Sequence, residues 1–498
     1  MAAEPSALLA AAAAEGRDYA RALRDPAGAQ RALLARILTD NAQSDFGREH
    51  GFAGCSDIVS FQSAVPVRGY DDLCPWIERV AGGEANVLTT APVIAFEETG
   101  GTASGAKLVP YTAAGLAGFR RAVLPWLDEL ARRRPGAFGG RVYATISPAT
   151  RQPRATPGGI AIGLDSDAAY LGAKLAPAFA AMLAVQPQLG RIADPAEWQV
   201  ATLAALVAAP DLSFVSLWSP TFLLALIEAL PPNAEAVLAA LSPADRPRLS
   251  RALAASRLDT QMLWPQLDSI SCWRDGASAT FANALAAAFP HAAIEAKGLL
   301  ATEAAVTVPW GGECLPALTS TVSELLDDAG VFHLVDGAVS GQTYRAIVTT
   351  ASGLYRYDLG DLVECTGLRG GVPALRFAGR GDATCDLVGE KLEDGFVAGI
   401  LATLPCPAVL MPADEPPGYI LVSSDPLDTE ILSRIEAQLS ANPQYAHARR
   451  IGQLAPLRIR HRPNLAADMT RAALAAGRRM GDVKPVALMR QAGDDWMQ

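Results

Sequence analysis

Phe96-Glu97-Glu98-Thr99-Gly100-Gly101-Thr102-Ala103-Ser104-Gly105-Ala106-Lys107-Leu108-Val109-Pro110 sets the reading of this 498-residue chain. Between two apolar runs it packs glycines, hydroxyls and one lysine. Glycine lets backbone N–H groups approach an anion, hydroxyls add donors, and the lysine adds charge. Such a set suits a polyphosphate. The Gly100 to Gly105 spacing is that of a Walker A loop, but Ala106 separates Gly105 from Lys107, and Leu108 stands where that loop needs a magnesium-binding hydroxyl. Two readings stay open here: a nucleotide held in some other manner, or a surface loop of small residues.

Composition narrows the class. A chain of this length exceeds one hydrophobic core, so two or more lobes are expected. Half the residues are hydrophobic and 19% are charged, which excludes a disordered chain. The net charge of −10 and the lack of a Lys/Arg run argue against nucleic acid or an anionic membrane as partner. No apolar run reaches the roughly 18 residues of a bilayer span. Ala7 to Ala14 follows Glu4 rather than a basic residue, so it reads as an Ala-rich helix and the protein as cytoplasmic. The seven cysteines are scattered with no C-x-x-C pair, and are expected to be buried thiols rather than a zinc site or disulfide frame. The five histidines are isolated, with no H-E-x-x-H and no G-x-S-x-G, which argues against zinc hydrolysis and an elbow serine.

Periodicity orders the rest. Leu33, Leu34, Ile37 and Leu38 mark one amphipathic helix; Thr112 caps another, with Leu116, Phe119, Val123, Leu127 and Leu130 on one face until Pro135. From about Leu171 to Leu253 the chain reads as mostly helical, with breaks such as Ser219-Pro220. Val331 to Val335, Tyr344 to Thr350, Leu354 to Tyr357 and Leu362 to Thr366 read as short strands between tight turns. Beyond residue 380, Tyr419 to Val422 and Leu457 to Arg460 are strand candidates, and Asp425-Pro426 opens a helix through Leu427, Ile431, Ile435 and Leu439. The fold class expected is α/β: a large multi-subdomain N-terminal lobe, residues 1–380, with a β-rich segment near 331–380, and a smaller α/β C-terminal lobe, residues 381–498.

Four further segments carry candidate chemistry, each with a plainer reading beside it. Asp361, in Tyr355-Arg356-Tyr357-Asp358-Leu359-Gly360-Asp361, is placed after a glycine turn at a strand end. It suits the two hydroxyls of a ribose, or caps its own turn. Glu303, after Thr302, is an oxygen ligand for magnesium or a solvated glutamate. Gly379-Arg380-Gly381-Asp382 is a hinge whose arginine reaches a nucleotide, or a charged turn. Lys484 is a catalytic cation or a solvated loop lysine.

The order of these segments resembles the adenylate-forming superfamily, which includes acyl-CoA synthetases, nonribosomal adenylation domains and luciferase. Within it, Asn41 to Phe52, Phe61 to Tyr70, Leu73 to Leu88, Thr156 to Asp167, Trp218-Ser219-Pro220 and Gly477 to Pro485 resemble a bacterial member of the auxin-responsive acyl-acid amido synthetases. The likeness covers nearly the whole chain. It implies an ATP-dependent ligase that adenylates a carboxylic acid and passes the acyl group to an amine, expected to be that of an amino acid. Thr99, Gly100, Gly101, Thr102, Ser104, Gly105 and Lys107 would hold the triphosphate, with Thr302 and Tyr357 also on the nucleotide. Glu303 would bind Mg2+, Asp361 the ribose, and Arg380 would lie close by. Asp382 would be the hinge of a mobile C-terminal lobe carrying the catalytic Lys484. The acid would lie near Tyr143, Ser147, Trp218 and Phe222. The chain departs from the pattern at Gly100, where most relatives carry Ser, and at Leu299, where many adenylating enzymes place Tyr against adenine. The partners expected are small molecules, and the protein a monomer or weak homo-oligomer. Two rivals remain: an acid–thiol ligase with coenzyme A or a carrier thiol as acceptor, and a degenerate binding or scaffold member.

Overall fold

In a computed structural model the described residues are 6–99, 107–145, 154–164, 170–255, 257–381, 384–475 and 483–489. They form two compact units, each built from separated stretches of chain. Met1–Pro135, Arg151–Met182 and Gly298–Phe377 make the first; Gly136–Thr150, Leu183–Lys297 and Ala378–Gln498 make the second.

In the first unit the helix Pro26–Asn41 starts at Asp25, whose carboxylate accepts from Gly28 N, and buries Leu33, Leu34, Ile37 and Leu38 as their spacing predicts. The helix Ala113–Arg133 is capped by Thr112 and stops before Pro135, also as read from sequence. Ser6–Ala22 packs along it. The strands Val93–Thr99 and Lys107–Thr112 pair antiparallel, Thr99 opposite Lys107. They lie in a four-stranded sheet with Ala161–Ile162 and Arg154–Ala155.

The β-rich segment is a five-stranded sheet in the order Phe332–Leu334, Val322–Leu326, Thr343–Thr349, Tyr357–Arg369, Val372–Arg380. Here the sequence reading needs correction. Leu354 to Tyr357 is not a separate strand: Thr350 N donates to Leu354 O across a turn with Gly353 at φ +97°, and Arg356 has φ +48°. That strained arginine is held by three hydrogen bonds to the buried Glu324 carboxylate. The strand begins only at Tyr357, then runs through the residues read as its end.

The second unit holds a four-stranded parallel sheet in the order Arg141–Ala144, Leu212–Ser216, Ser269–Cys272, Ala293–Ala296. Its strands are short and mostly buried, as parallel strands covered by helices are. Their apolar side chains share one core with the helices Pro195–Val207, Pro220–Ala229 and Ala279–Ala288. The stretch read as mostly helical also contains a central strand, Leu212–Ser216, because its core position outweighs its helix-forming neighbours.

A three-stranded sheet follows: Ala408–Asp414, Pro417–Ser423 and Arg458–His461. Alternation decides its faces. Val409, Met411, Ile420 and Val422 join the core around Phe222, whereas Leu410, Tyr419 and Leu421 join a second core with Ile435, Leu439 and Tyr445. The helix Thr429–Leu439 is capped by Asp428 rather than by Asp425, whose proline stays outside the helix. Among the described residues no single helix is long and apolar enough to cross a membrane; Pro220–Ala229 and Ala234–Ala240 pass only as a pair bent by 88°.

Candidate active site

The first unit gathers several sequence-predicted segments. Phe96 and Val109 from the hairpin, Leu299 and Ala301 from the Gly298 turn, and Tyr357 and Leu359 from the long strand all pack on one core. Gly100 to Ala106 lie outside the described residues, but the strands on either side are placed. Lys107 opens the second strand, with its ammonium 5.2 Å from the centre of the Tyr70 ring. The Tyr70 hydroxyl accepts from Leu108 N at 2.8 Å, so Tyr70 fixes the backbone beside Lys107 as well as its side chain.

Thr302 and Glu303 cap a tight turn closed by Ala301 N donating to Ala304 O. Gly298 precedes it at φ +76°, and a Cβ there would stand 2.7 Å from Thr307 O, so only glycine fits. The Tyr111 hydroxyl donates to Thr302 O at 2.6 Å, tying the turn to the strand that carries Lys107. Burial pushes the Tyr111 phenol well above its usual range, helped by the carboxylates of Glu97 and Glu303. Glu303 is half-buried. Among the described residues no three His, Cys, Asp or Glu side chains cluster as a metal cage. A single carboxylate fits Mg2+, which keeps waters and takes further ligands from phosphates.

Asp361 stands inside the strand Tyr357–Arg369, not after its end, and is buried. The register with Thr343–Thr349 slips between Arg345 and Ile347, which pair with Leu362 and Asp358. Leu359, Gly360 and Asp361 therefore form a bulge, with Gly360 at φ +73° and its N–H donating to Asp358 Oδ1. A bulge re-aims a side chain that regular pleating would fix, which explains why a loop was expected there. Tyr357, predicted on the nucleotide, is 3% exposed and packs within the core.

In the second unit the carboxyl ends of the parallel strands carry Thr145, Ser216, Trp218, Trp273 and Lys297. This edge is where open α/β sheets hold ligands. Trp273 N donates to Trp218 O at 2.8 Å, and the two indoles tilt against each other at 5.9 Å. The Lys484 ammonium lies 5.7 Å from the Trp273 ring centre, and that of Lys297 lies 5.2 Å from Trp218. Two predicted residues, Trp218 and Lys484, are thus joined through a tryptophan that the sequence reading missed. Lys484 is exposed, but the chain around it is fixed: Leu410 N donates to Ala487 O, and Ala487 N and Leu488 N both donate to Asp394 Oδ1.

Tyr143 and Phe222 do not stand at that edge. Both are buried in the helical core, and the apolar void beside Tyr143 measures about 10 Å3, room for one water at most. Their side chains are core filling, because the strand Arg141–Ala144 turns Tyr143 inward and Phe222 sits on the buried face of its helix. Ser147 and Asp382 lie outside the described residues. Arg380 ends its strand half-buried, next to Gly379, whose φ of +140° accompanies close approach to Gly395 Cα. Four of the cysteines are buried as expected; Cys55, Cys74 and Cys314 are half-exposed. Burial pushes the Cys272 thiol up to about 12 despite nearby Lys297, which favours its protonated form.

Lys297 and Trp273 had no readable signal: a lysine in Glu295-Ala296-Lys297-Gly298 resembles any polar loop start. Only the strand order brings them to one edge.

This architecture is the adenylate-forming fold. Over 93% of this chain and 89% of the other it superposes on 2-hydroxyisobutyryl-CoA ligase in the postadenylation state, with a TM-score of 0.52 and 13% identity. With the AtGH3.15 acyl acid amido synthetase in complex with 2,4-DB the TM-score is 0.85 over 99% of this chain and 95% of that one, at 17% identity. More narrowly, the chain belongs to the GH3 family: the GH3 family N-terminal domain matches residues 17–245 and the GH3 family central domain residues 327–380. A putative indole-3-acetic acid-amido synthetase of Oryza sativa subsp. japonica is 26% identical over 73% of this chain and 80% of its own length. A probable indole-3-acetic acid-amido synthetase of the same plant is 47% identical over 88 residues, 18% of this chain and 14% of its own length.

Proposed function

We propose that this chain is an AMP-forming ligase. It adenylates a carboxylic acid with ATP, releases pyrophosphate, and passes the acyl group to the amine of an amino acid. A carboxylate oxygen attacks the α-phosphorus as the bond to pyrophosphate breaks; the amine nitrogen, once deprotonated, then attacks the acyl carbon and AMP leaves. The observation that carries this reading is Lys484 over Trp273 at the carboxyl edge of the parallel sheet. A cation there meets the negative charge that builds on the phosphoryl oxygens.

Thr99, the Gly100 to Gly105 stretch and Lys107 take the outer phosphates, Asp361 the ribose, and Arg380 the nucleotide beside it. Glu303 and the phosphates hold Mg2+, which neutralises phosphate charge when bound. The acid lies against Trp218. Indole-3-acetate, the acid named for the plant relatives, is the first to try. We place the mobile domain at 381–498 with Asp382 as hinge. Its rotation between half-reactions would separate Val409, Met411, Ile420 and Val422 from the helical core. A bacterial, cytoplasmic enzyme, monomeric or weakly oligomeric, completes the proposal.

The test is pyrophosphate release by purified protein with ATP, Mg2+ and a panel of carboxylic acids, followed by product mass with amino acids against coenzyme A. Amide product is expected; thioester alone would make the protein an acid–thiol ligase, and no pyrophosphate with any acid would make it a binding protein.

A further inference from the structure

Lys297 follows the last residue of the Ala293–Ala296 strand and is 4% exposed. Withdrawing an ammonium from water is costly, and an apolar side chain of similar length would fill the same space at less cost. Its Nζ donates to Ser216 Oγ at 2.6 Å. An ammonium has no lone pair to offer, so the Ser216 proton must point away from Lys297. Ser216 is half-exposed and ends the strand Leu212–Ser216, which the Ser269–Cys272 strand separates from Ala293–Ala296 in the sheet, one position before Leu217 and two before Trp218. The hydroxyl is thus a donor polarised from behind by a buried charge, and such chains strengthen the outer hydrogen bond.

We propose that Ser216, polarised by Lys297, is the fixed donor that holds the acid's carboxylate before adenylation and the acyl carbonyl oxygen afterwards. The proposal rests on the ligase reading above and adds a division of labour to it. Lys484 sits exposed on a segment near the chain's end, in the part proposed to move, so it cannot hold the acid through both half-reactions. Ser216 ends one strand of the parallel sheet and Lys297 follows another strand of the same sheet, and rigid elements hold a site more precisely than loops do. Ser216 contacts the substrate; Lys297 acts through it and is a positioning residue.

Ser216→Ala and Lys297→Met are each expected to raise the KM for the acid about tenfold, with the KM for ATP unchanged. Because the two act as a unit, the double variant should be no worse than the more damaged single one. Ser216→Thr should restore acid binding. A role confined to clamping the two strands would instead lower the melting temperature and leave the acid KM alone, and that result overturns the proposal. Direct binding separates this failure from failure of the ligase reading, since it needs no turnover. Benzoate, phenylacetate, indole-3-acetate and octanoate would be titrated calorimetrically into wild type and Ser216→Ala, each beside its uncharged primary amide, up to about 10 mM. Wild type should prefer at least one acid over its amide, and Ser216→Ala should lose that preference. Equal preference in both proteins, or no acid bound by wild type, overturns it.

Discussion

The Tyr111 hydroxyl donates to the Thr302 carbonyl oxygen across 2.6 Å, so the strand that carries Lys107 and the turn that carries Glu303 are fastened at one point. Tyr111 is buried and packs edge-on against Tyr170, which leaves its ring little freedom. Tyr111→Phe keeps the ring and removes the fastening. A lost hydrogen bond to a buried carbonyl costs about 1–3 kcal/mol. The KM for ATP is expected to rise several-fold while the KM for the acid stays put. Steady-state kinetics with each substrate varied in turn checks this, and an unchanged ATP KM would make the bond a purely structural one.

Lys484→Ala should lower ATP–pyrophosphate exchange by about a hundredfold or more, the usual cost of removing a charged donor aimed at a phosphoryl transition state. The side chain is exposed and its backbone neighbours are secured by Asp394, so the melting temperature should hold. Exchange at the wild-type rate would remove Lys484 from the chemistry.

Asp361→Ala should weaken ATP binding with little change in fold, since the bulge is held by Gly360 and by the Arg345–Asp358 ion pair at 2.9 Å rather than by Asp361 alone. Calorimetric titration of ATP reads the loss directly. Equal affinity in the two proteins would leave Asp361 a strand residue only.

Local signals in this chain were legible where local physics decides. Thr112 capped its helix, and the 3.6-residue spacing of Leu33 to Leu38 gave the buried face. The runs flanking the glycine-rich stretch read as apolar, and they are the paired strands Val93–Thr99 and Lys107–Thr112. What was not legible depends on partners far along the chain. Leu212–Ser216 is a strand because Arg141–Ala144 and Ser269–Cys272 flank it, not because of its own surroundings. Asp361 reads as a turn residue until the opposing strand shows the slip at Arg345. Tyr143 and Phe222 were placed by family position, and no local signal told how deeply both are buried. Lys297 escaped notice because nothing near it in sequence marks a lysine that will be buried.

Gly298→Ala tests how tightly the Glu303 turn is specified. At φ +76° any Cβ is strained, and this one would meet a backbone oxygen at 2.7 Å that cannot swing aside. The strain should cost about 1–3 kcal/mol and lower the urea midpoint. A variant as stable as wild type would mean the turn rearranges freely.

Glu228 gives the chain a pH dependence of defined sign. It lies on the helix Pro220–Ala229, where burial pushes its carboxyl up to about 7 and nearby Asp468 adds to the rise, against a hydrogen bond from the Ala467 backbone. Its Oε2 is buried without a hydrogen-bond partner. Folding therefore raises the proton affinity of this group, so the protonated form stabilises the fold. That stabilisation is whole below the ordinary glutamate range and is lost as pH climbs through about 7. Glu228→Gln keeps the shape and carries no charge at any pH. It should match wild type near pH 4.5 and exceed it by roughly 1–2 kcal/mol near pH 8, a figure reduced for the partial exposure of the group. Because Asp468 sits on the helix Leu465–Ala475, the gain should come from closer packing of that helix on Pro220–Ala229. Urea unfolding across this pH range measures the difference, and a difference that does not grow with pH would show that Glu228 is ionised in the folded protein throughout.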